Sequence, residues 1–144
     1  MPDGHRAALL LLTRMETVTS GNIRLTWDAA VRLATIRFEG ETHATGRDAV
    51  AMVDAMTGWI GTEGQPFGLL GDGGNLSGLD AEYRSVWGSF FRQHRDDSST
   101  AFFNMGPIVR LAAEMFRIGT GLQLKAFADQ EDARAWLRQR GIRA

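Results

Sequence analysis

The chain contains no cysteine, which excludes disulfides, thiolate nucleophiles and cysteine-ligated metals. A protein without disulfides fits a cytoplasmic setting. Charge of one sign is lacking too. The formal net charge is -1 at pH 7, so there is no electrostatic footing for nucleic acid or an anionic membrane. Histidine is scarce, with His5, His43 and His94 scattered at no metal-pair spacing, and HExxH is missing. Long apolar runs are missing as well. After His5-Arg6, the six apolar residues from Ala7 to Leu12 give way to Thr13, Arg14 and Glu16. That run is too short for a secretory signal and far too short to span a bilayer. Residues 1–20 therefore read as a flexible N-terminal tail, with Met15 an alternative start to Met1.

What is present describes one domain, spanning residues 21–144. With 44% hydrophobic and 23% charged residues, the composition is that of a globular protein and not of a disordered or repetitive one. Ile23 to Trp27 alternates apolar and polar residues, and Val31 to Phe38 alternates again after a short connection, the pattern of an antiparallel hairpin. Thr45 offers a cap for a helix on which Val50, Val53, Met56 and Ile60 approximate helical spacing, ended by Gly61, Gly64 and Pro66. Phe67 to Leu70 is an uninterrupted apolar run, as in a strand buried on both faces.

Asp80 caps a second helix bearing Tyr83, Val86, Trp87, Phe90 and Phe91. A strand over Ser99 to Phe103 precedes a third helix. That helix opens at Pro107, and Ile108, Leu111, Ala112 and Met115 are expected along one stripe. Leu122 to Phe127 reads as a fifth strand, and Asp129 caps a last helix with Ala133, Trp136 and Leu137 inward. The order is β-β-α-β-α-β-α-β-α, an α/β fold with a mixed, mainly parallel sheet covered by helices.

The candidate functional residues gather around one loop. Asp72, Gly73, Gly74 and Asn75 follow a strand, and Ser77, Asp80 and Glu82 lead into a helix. Glycines allow close backbone approach, and the carboxyl ends of parallel strands are where open α/β sheets bind ligands. The lysine and Ser/Thr of a P-loop are absent, as are GxGxxG and the Gly-x-Ser-x-Gly elbow. No nucleophile–base pair, metal set or cofactor fingerprint can be assembled, so the chain reads as non-enzymatic and without cofactor. The rings of Tyr83, Trp87, Phe90 and Phe91 crowd one short helix; such spacing marks core first, and a partner or homodimer surface second.

The element order, the Phe67-Gly68-Leu69-Leu70 strand, the Asn75-Leu76-Ser77-Gly78-Leu79-Asp80 loop and the closing Phe127–Leu137 stretch with its Trp136-Leu137 pair together resemble the STAS family, especially its SpoIIAA-like (STAS/SEC14) bacterial members. The likeness covers roughly residues 22 to 140. It implies a regulatory module that binds a protein partner of the regulatory-kinase or sigma-factor-regulator kind, as anti-sigma-factor antagonists do. In that family a Ser or Thr at the start of the helix after the third strand is the phosphoacceptor. Ala81 or Glu82 stands there in this chain, which argues against the usual phosphoserine switch. The SEC14 side of the family implies the alternative, a carrier of a small apolar ligand or lipid with a pocket near Trp59, Trp87 and Met115.

Overall fold

The computed structural model describes residues 15–120 and 123–144. Within the helix at 107–120, the side chains of Ile108, Ala112, Met115, Phe116, Gly119 and Thr120 are not described. The first fourteen residues of the expected tail, and Gly121 and Leu122, lie outside the described residues.

The tail expectation fails from Met15 onward. Met15–Ser20 is a strand, β1, paired antiparallel with β2, Ile23–Asp28. Its sequence shows no apolar alternation because it is an edge strand with mostly exposed side chains. Polar anchors hold it: Ser20 Oγ donates to Asp48 Oδ1 at 2.6 Å, and Trp59 Nε1 donates to Glu16 Oε2 at 2.6 Å.

The hairpin forms as its alternation predicts. β2 pairs antiparallel with β3, Leu33–Phe38, in a register that sets Ile23 opposite Phe38, Leu25 opposite Ile36 and Trp27 opposite Ala34. All six are buried, because a period of two puts them on one face. Parallel pairing then carries the sheet through β5 (Phe67–Asp72) and β7 (Ser98–Phe103) to β8 (Leu124–Phe127), giving the order β1-β2-β3-β5-β7-β8. Two short strands that the sequence reads as loop, β4 (Thr42–Ala44) and β6 (Leu76–Leu79), pair parallel as a separate small sheet. At three and four residues they are too short to show a period.

Among the described residues, four helices follow the strands. Thr45 closes a capping box with Asp48 ahead of α1, Gly46–Ile60. Its buried stripe is Gly46, Ala49, Met52, Met56 and Ile60, so the helix is rotated from the expected face and Val50 is exposed. Asp80 Oδ1 accepts from Tyr83 N at 2.7 Å to start α2, Ala81–Gln93. Helix α3 spans Pro107–Thr120, where Leu111 is 62% exposed and Val109 is buried. The stripe expected through Leu111 is thus corrected, because the helix rests on the turn that carries Val109 and Ala113. Asp129 caps α4, Gln130–Gln139.

The sheet is covered unequally. On one face, the side chains of β2, β3, β5 and β8 form the main core with Met52, Met56, Tyr83, Trp87, Phe90 and Phe91 of α1 and α2. On the other face, Ala133 and Leu137 of α4, with Ile142, pack on Leu33, Leu70, Ala101 and Phe103. Gly46 permits the close approach of α1 to α2, since any Cβ there would overlap the Glu82 side chain.

Candidate functional site

Under α2 and α3 the main core does not close. The sheet supplies Ile36, Phe38, Leu69, Phe102 and Leu124 as a floor, and α2 supplies Tyr83, Arg84, Trp87 and Phe91 as a wall. Leu76 and Leu79 of β6, Met105 just ahead of α3, and Val109 and Ala113 of α3 complete the lining. The cavity measures about 80 Å³, is partly open, and is bounded almost wholly by carbon. Gly71 lies in the floor strand under the Phe102 ring, which a Cβ there would strike, and Ala113 faces the space from α3.

Three of the lining residues, Tyr83, Arg84 and Trp87, carry polar groups. Trp87 is 5% exposed; its Nε1 is buried, meets no acceptor at full hydrogen-bonding geometry, and lies against the Tyr83 hydroxyl. Tyr83, a turn away on α2, packs edge-on to Trp87 with ring centroids 6.5 Å apart. Burial pushes its phenol far above the usual tyrosine range; the Trp87 indole offsets part of this, and the charge of Asp48 adds to it. Tyr83 therefore stays protonated. Arg84 is exposed at the edge of the cavity and forms no ion pair among the described residues. A second buried polar atom without a partner, Thr100 Oγ1, sits on β7 opposite Leu69 and Leu124, both floor residues.

The residues singled out from the sequence hold the loop together. Asp72 Oδ1 accepts from Gly74 N at 2.9 Å and from Asn104 Nδ2 at 3.3 Å. Gly73 N donates to Phe103 O at 2.8 Å, and Met105 packs where a Gly73 side chain would be. Asn75 adopts φ 68° and donates from Nδ2 to Phe38 O at 2.9 Å, while its carbonyl accepts from Thr42 N. Ser77 Oγ donates to Thr42 O at 2.9 Å. Asp80 caps α2, and Glu82 lies over Gly46.

The structure thus brings these seven residues together as neighbours around β4 and β6, with many of their polar atoms bonded to the protein's own backbone. The loop meets the cavity through its apolar side chains, Leu76 and Leu79. Of the expected pocket residues, Trp87 lines the cavity and Met115 has no described side chain. Trp59 is not part of it; it stacks on Trp27 at 6.2 Å beside β1.

Leu76, Leu79, Arg84, Met105, Val109 and Ala113 were not identifiable as site residues, because they come from four separate segments with no common period. The only signal was the four-residue spacing of Tyr83, Trp87 and Phe91, which reads equally as core. Of the histidines, His94 pairs with Asp97 at 3.3 Å and packs edge-on to Phe67, and His43 lies against Gly78. Among the described residues, no three of His, Asp and Glu lie together as a metal would need, and no helix is long and apolar enough to cross a membrane.

Comparison with known proteins adds the family. A comparison with curated proteins gives no match. Among solved structures, the chain is similar to an uncharacterised protein of the DUF3478 family with a SpoIIAA-like fold from Shewanella loihica PV-4. The two share 18% identity at a TM-score of 0.57, with 85% of this chain and 91% of the other covered. That likeness shows the fold alone. The model of the SpoIIAA-like family matches residues 33–138, from the third strand of the sheet through the last helix, and this chain belongs to the SpoIIAA-like family.

Proposed function

We propose that this chain is a non-enzymatic binding module of the STAS type whose cavity between the sheet and helices α2 and α3 holds a small apolar ligand. The observation that carries the reading is the cavity itself: about 80 Å³ of carbon-lined space between the sheet and two helices. Cores close-pack when nothing else must fit, and a void loses dispersion contacts along its whole lining. Mostly apolar lining with a few convergent polar groups is the usual composition of a small-molecule site. No serine or threonine stands in the first turn of α2, Ala81 to Arg84, which supports a module that works without the usual phosphoserine switch.

Native mass spectrometry of the gently purified protein, followed by displacement of an environment-sensitive apolar dye, tests the reading. A co-purified small molecule, or saturable dye binding lost on filling the cavity, supports it. A clean protein mass together with no saturable dye binding refutes it.

A protein partner is the second reading, and one feature favours it. Leu111 and Ile118, 62% and 70% exposed, stand seven residues apart on α3, so both project on the same side of the helix. Light scattering of the pure chain and of the Leu111→Ser, Ile118→Ser variant decides whether a second copy covers them.

A further inference from the structure

We infer that strand β1 is the surface through which two copies of this chain join, pairing edge to edge and antiparallel about a two-fold axis. The cavity plays no part in it. β1 forms one margin of the six-stranded sheet and has no neighbour on its outer side among the described residues. The turn at Gly21 and Asn22 decides which backbone groups that margin presents. Gly21 adopts φ 55° and Ser20 stands opposite Ile23, and in a two-residue hairpin the pair flanking the turn exchanges both of its backbone bonds. Bonded pairs alternate along an antiparallel ladder, so Ser20, Val18 and Glu16 direct their backbone groups to β2. The N–H and C=O groups of Met15, Thr17 and Thr19 then point outward.

An open row of this kind is a template for another strand, and proteins usually blunt it with lysine, proline, a bulge or a short length. The opposite margin, β8, is four residues long and carries Lys125. β1 has none of these devices. Its six residues run in unbroken register, and its one charged side chain, Glu16, is held by Trp59 on the helix side of the sheet. The row is also complementary to itself. In a sheet continued through a two-fold axis, facing residues lie on the same side. With Val18 on the axis, Val18 meets Val18, Thr17 meets Thr19 and Glu16 meets Ser20 of the second copy. Thr17 and Thr19 become the hydrogen-bonded pair, no like charges meet, and threonine pairs are favourable across strands. The helix above leaves room. Asp48 and Trp59 of α1 reach Ser20 and Glu16, and the flank beyond them carries Ala51, Ala55 and Gly58, small residues that let a second α1 lie alongside.

Sedimentation velocity of the full-length chain from about 5 to 500 µM is the test, since an interface built on one short strand is small and a micromolar monomer–dimer equilibrium is expected. Hydrogen exchange at the Thr17 and Thr19 amides should be fast in dilute protein and slow in concentrated protein. Both side chains are exposed, and Thr19 stands opposite Arg24 of β2, so a glutamate at 19 suits the single copy. Thr17→Glu with Thr19→Glu sets like charges opposite each other across the axis and should weaken the dimer about tenfold. Thr17→Lys with Thr19→Glu sets opposite charges there and should restore it.

The chain has no cysteine, so Val18→Cys places a single thiol at the axis. Facing residues of a non-bonded pair lie about 4.5 Å apart at Cα, within reach of a disulfide. Mild oxidation should cross-link the Val18→Cys dimer and leave Val50→Cys, exposed on α1, uncoupled. A monomer at every concentration overturns the proposal, as does a dimer in which Val18→Cys fails to cross-link. A dimer indifferent to the paired glutamates, or lost only in Leu111→Ser, Ile118→Ser, overturns it too and places the contact elsewhere. Thr17 and Thr19 amides that exchange slowly in dilute, monomeric protein would show that residues 1–14 of the same chain cover the edge, which also overturns it.

Discussion

Filling the cavity from the helix side should stabilise the protein and abolish its binding capacity. Ala113 on α3 is half-buried and faces the space, and Ala113→Leu adds three carbons there. At ~24 cal/mol per Å³ of cavity, occupying the whole of about 80 Å³ is worth at most about 2 kcal/mol. The transfer of three methylene-sized groups gives a similar ceiling, about 2.4 kcal/mol at ~0.8 kcal/mol each. The cavity is partly open, so about 1–2 kcal/mol is expected. In a chain of 144 residues that raises Tm by roughly 2–8 °C. Leucine also keeps the helix propensity close to that of alanine, so the backbone term is small. Urea denaturation with an unchanged m-value, combined with dye titration, measures both effects. A loss of about 1–3 kcal/mol would instead be the signature of overpacking. It would mean that α3 already lies at van der Waals distance from Phe102 and Leu124, so the void is not available space and the binding reading loses its basis.

Three further outcomes follow from the same packing. Gly71→Ala should destabilise by about 1–3 kcal/mol, because its Cβ would strike the Phe102 ring and come within 3.2 Å of Ile36; the displaced ring should also lower dye binding. Asn75→Gly keeps the left-handed φ of 68° but loses the bond to Phe38 O, whereas Asn75→Ala loses both, so urea midpoints should fall in the order wild type, Asn75→Gly, Asn75→Ala, with about 1 kcal/mol or more between the last two. Burial raises the Asp48 carboxyl, but hydrogen bonds from Ser20 and Thr45, together with Arg47, outweigh it and leave it below the ordinary 3.8. A depressed carboxyl contributes stability above its unfolded value, and that contribution disappears as pH falls through the folded one. Ser20→Ala should therefore cost about 1 kcal/mol or less at pH 7, since the pair is only part-buried, and the deficit should fade below pH 3.8; a deficit that persists at acid pH would show that Asp48 is not its source.

The elements with internal period or capping chemistry were legible residue by residue. The β2–β3 hairpin follows from Ile23, Leu25 and Trp27 alternating against Ala34, Ile36 and Phe38. The helix starts at Thr45, Asp80 and Asp129 follow from side chains that bond the third amide onward. The family likeness rested on the same regions, and the SpoIIAA-like match over 33–138 covers the alternating strands and helices that carry it. Strand β1 was not legible, since it is held by Glu16–Trp59 and Ser20–Asp48, contacts spanning 43 and 28 residues. Nor were β4 and β6, which exist only because the chain brings Thr42–Ala44 beside Leu76–Leu79.

The same division applies to the site. Local chemistry in the sequence decides that Asp72, Asn75 and Asp80 shape a turn and a cap, and that Tyr83, Trp87 and Phe91 share one side of a helix. Whether those polar atoms face a ligand or the protein's own backbone depends on which groups lie within bonding distance, and Phe38 O, Thr42 O and Asn104 come from other segments. Whether the ring-bearing side packs shut or lines a space depends on what stands opposite it. Here Ala113 of α3, a small residue, faces Ile36, Leu69, Phe102 and Leu124, which come from four different strands. A void is the difference between the volume the backbone encloses and the volume its side chains fill, and only the tertiary structure sets the first of these.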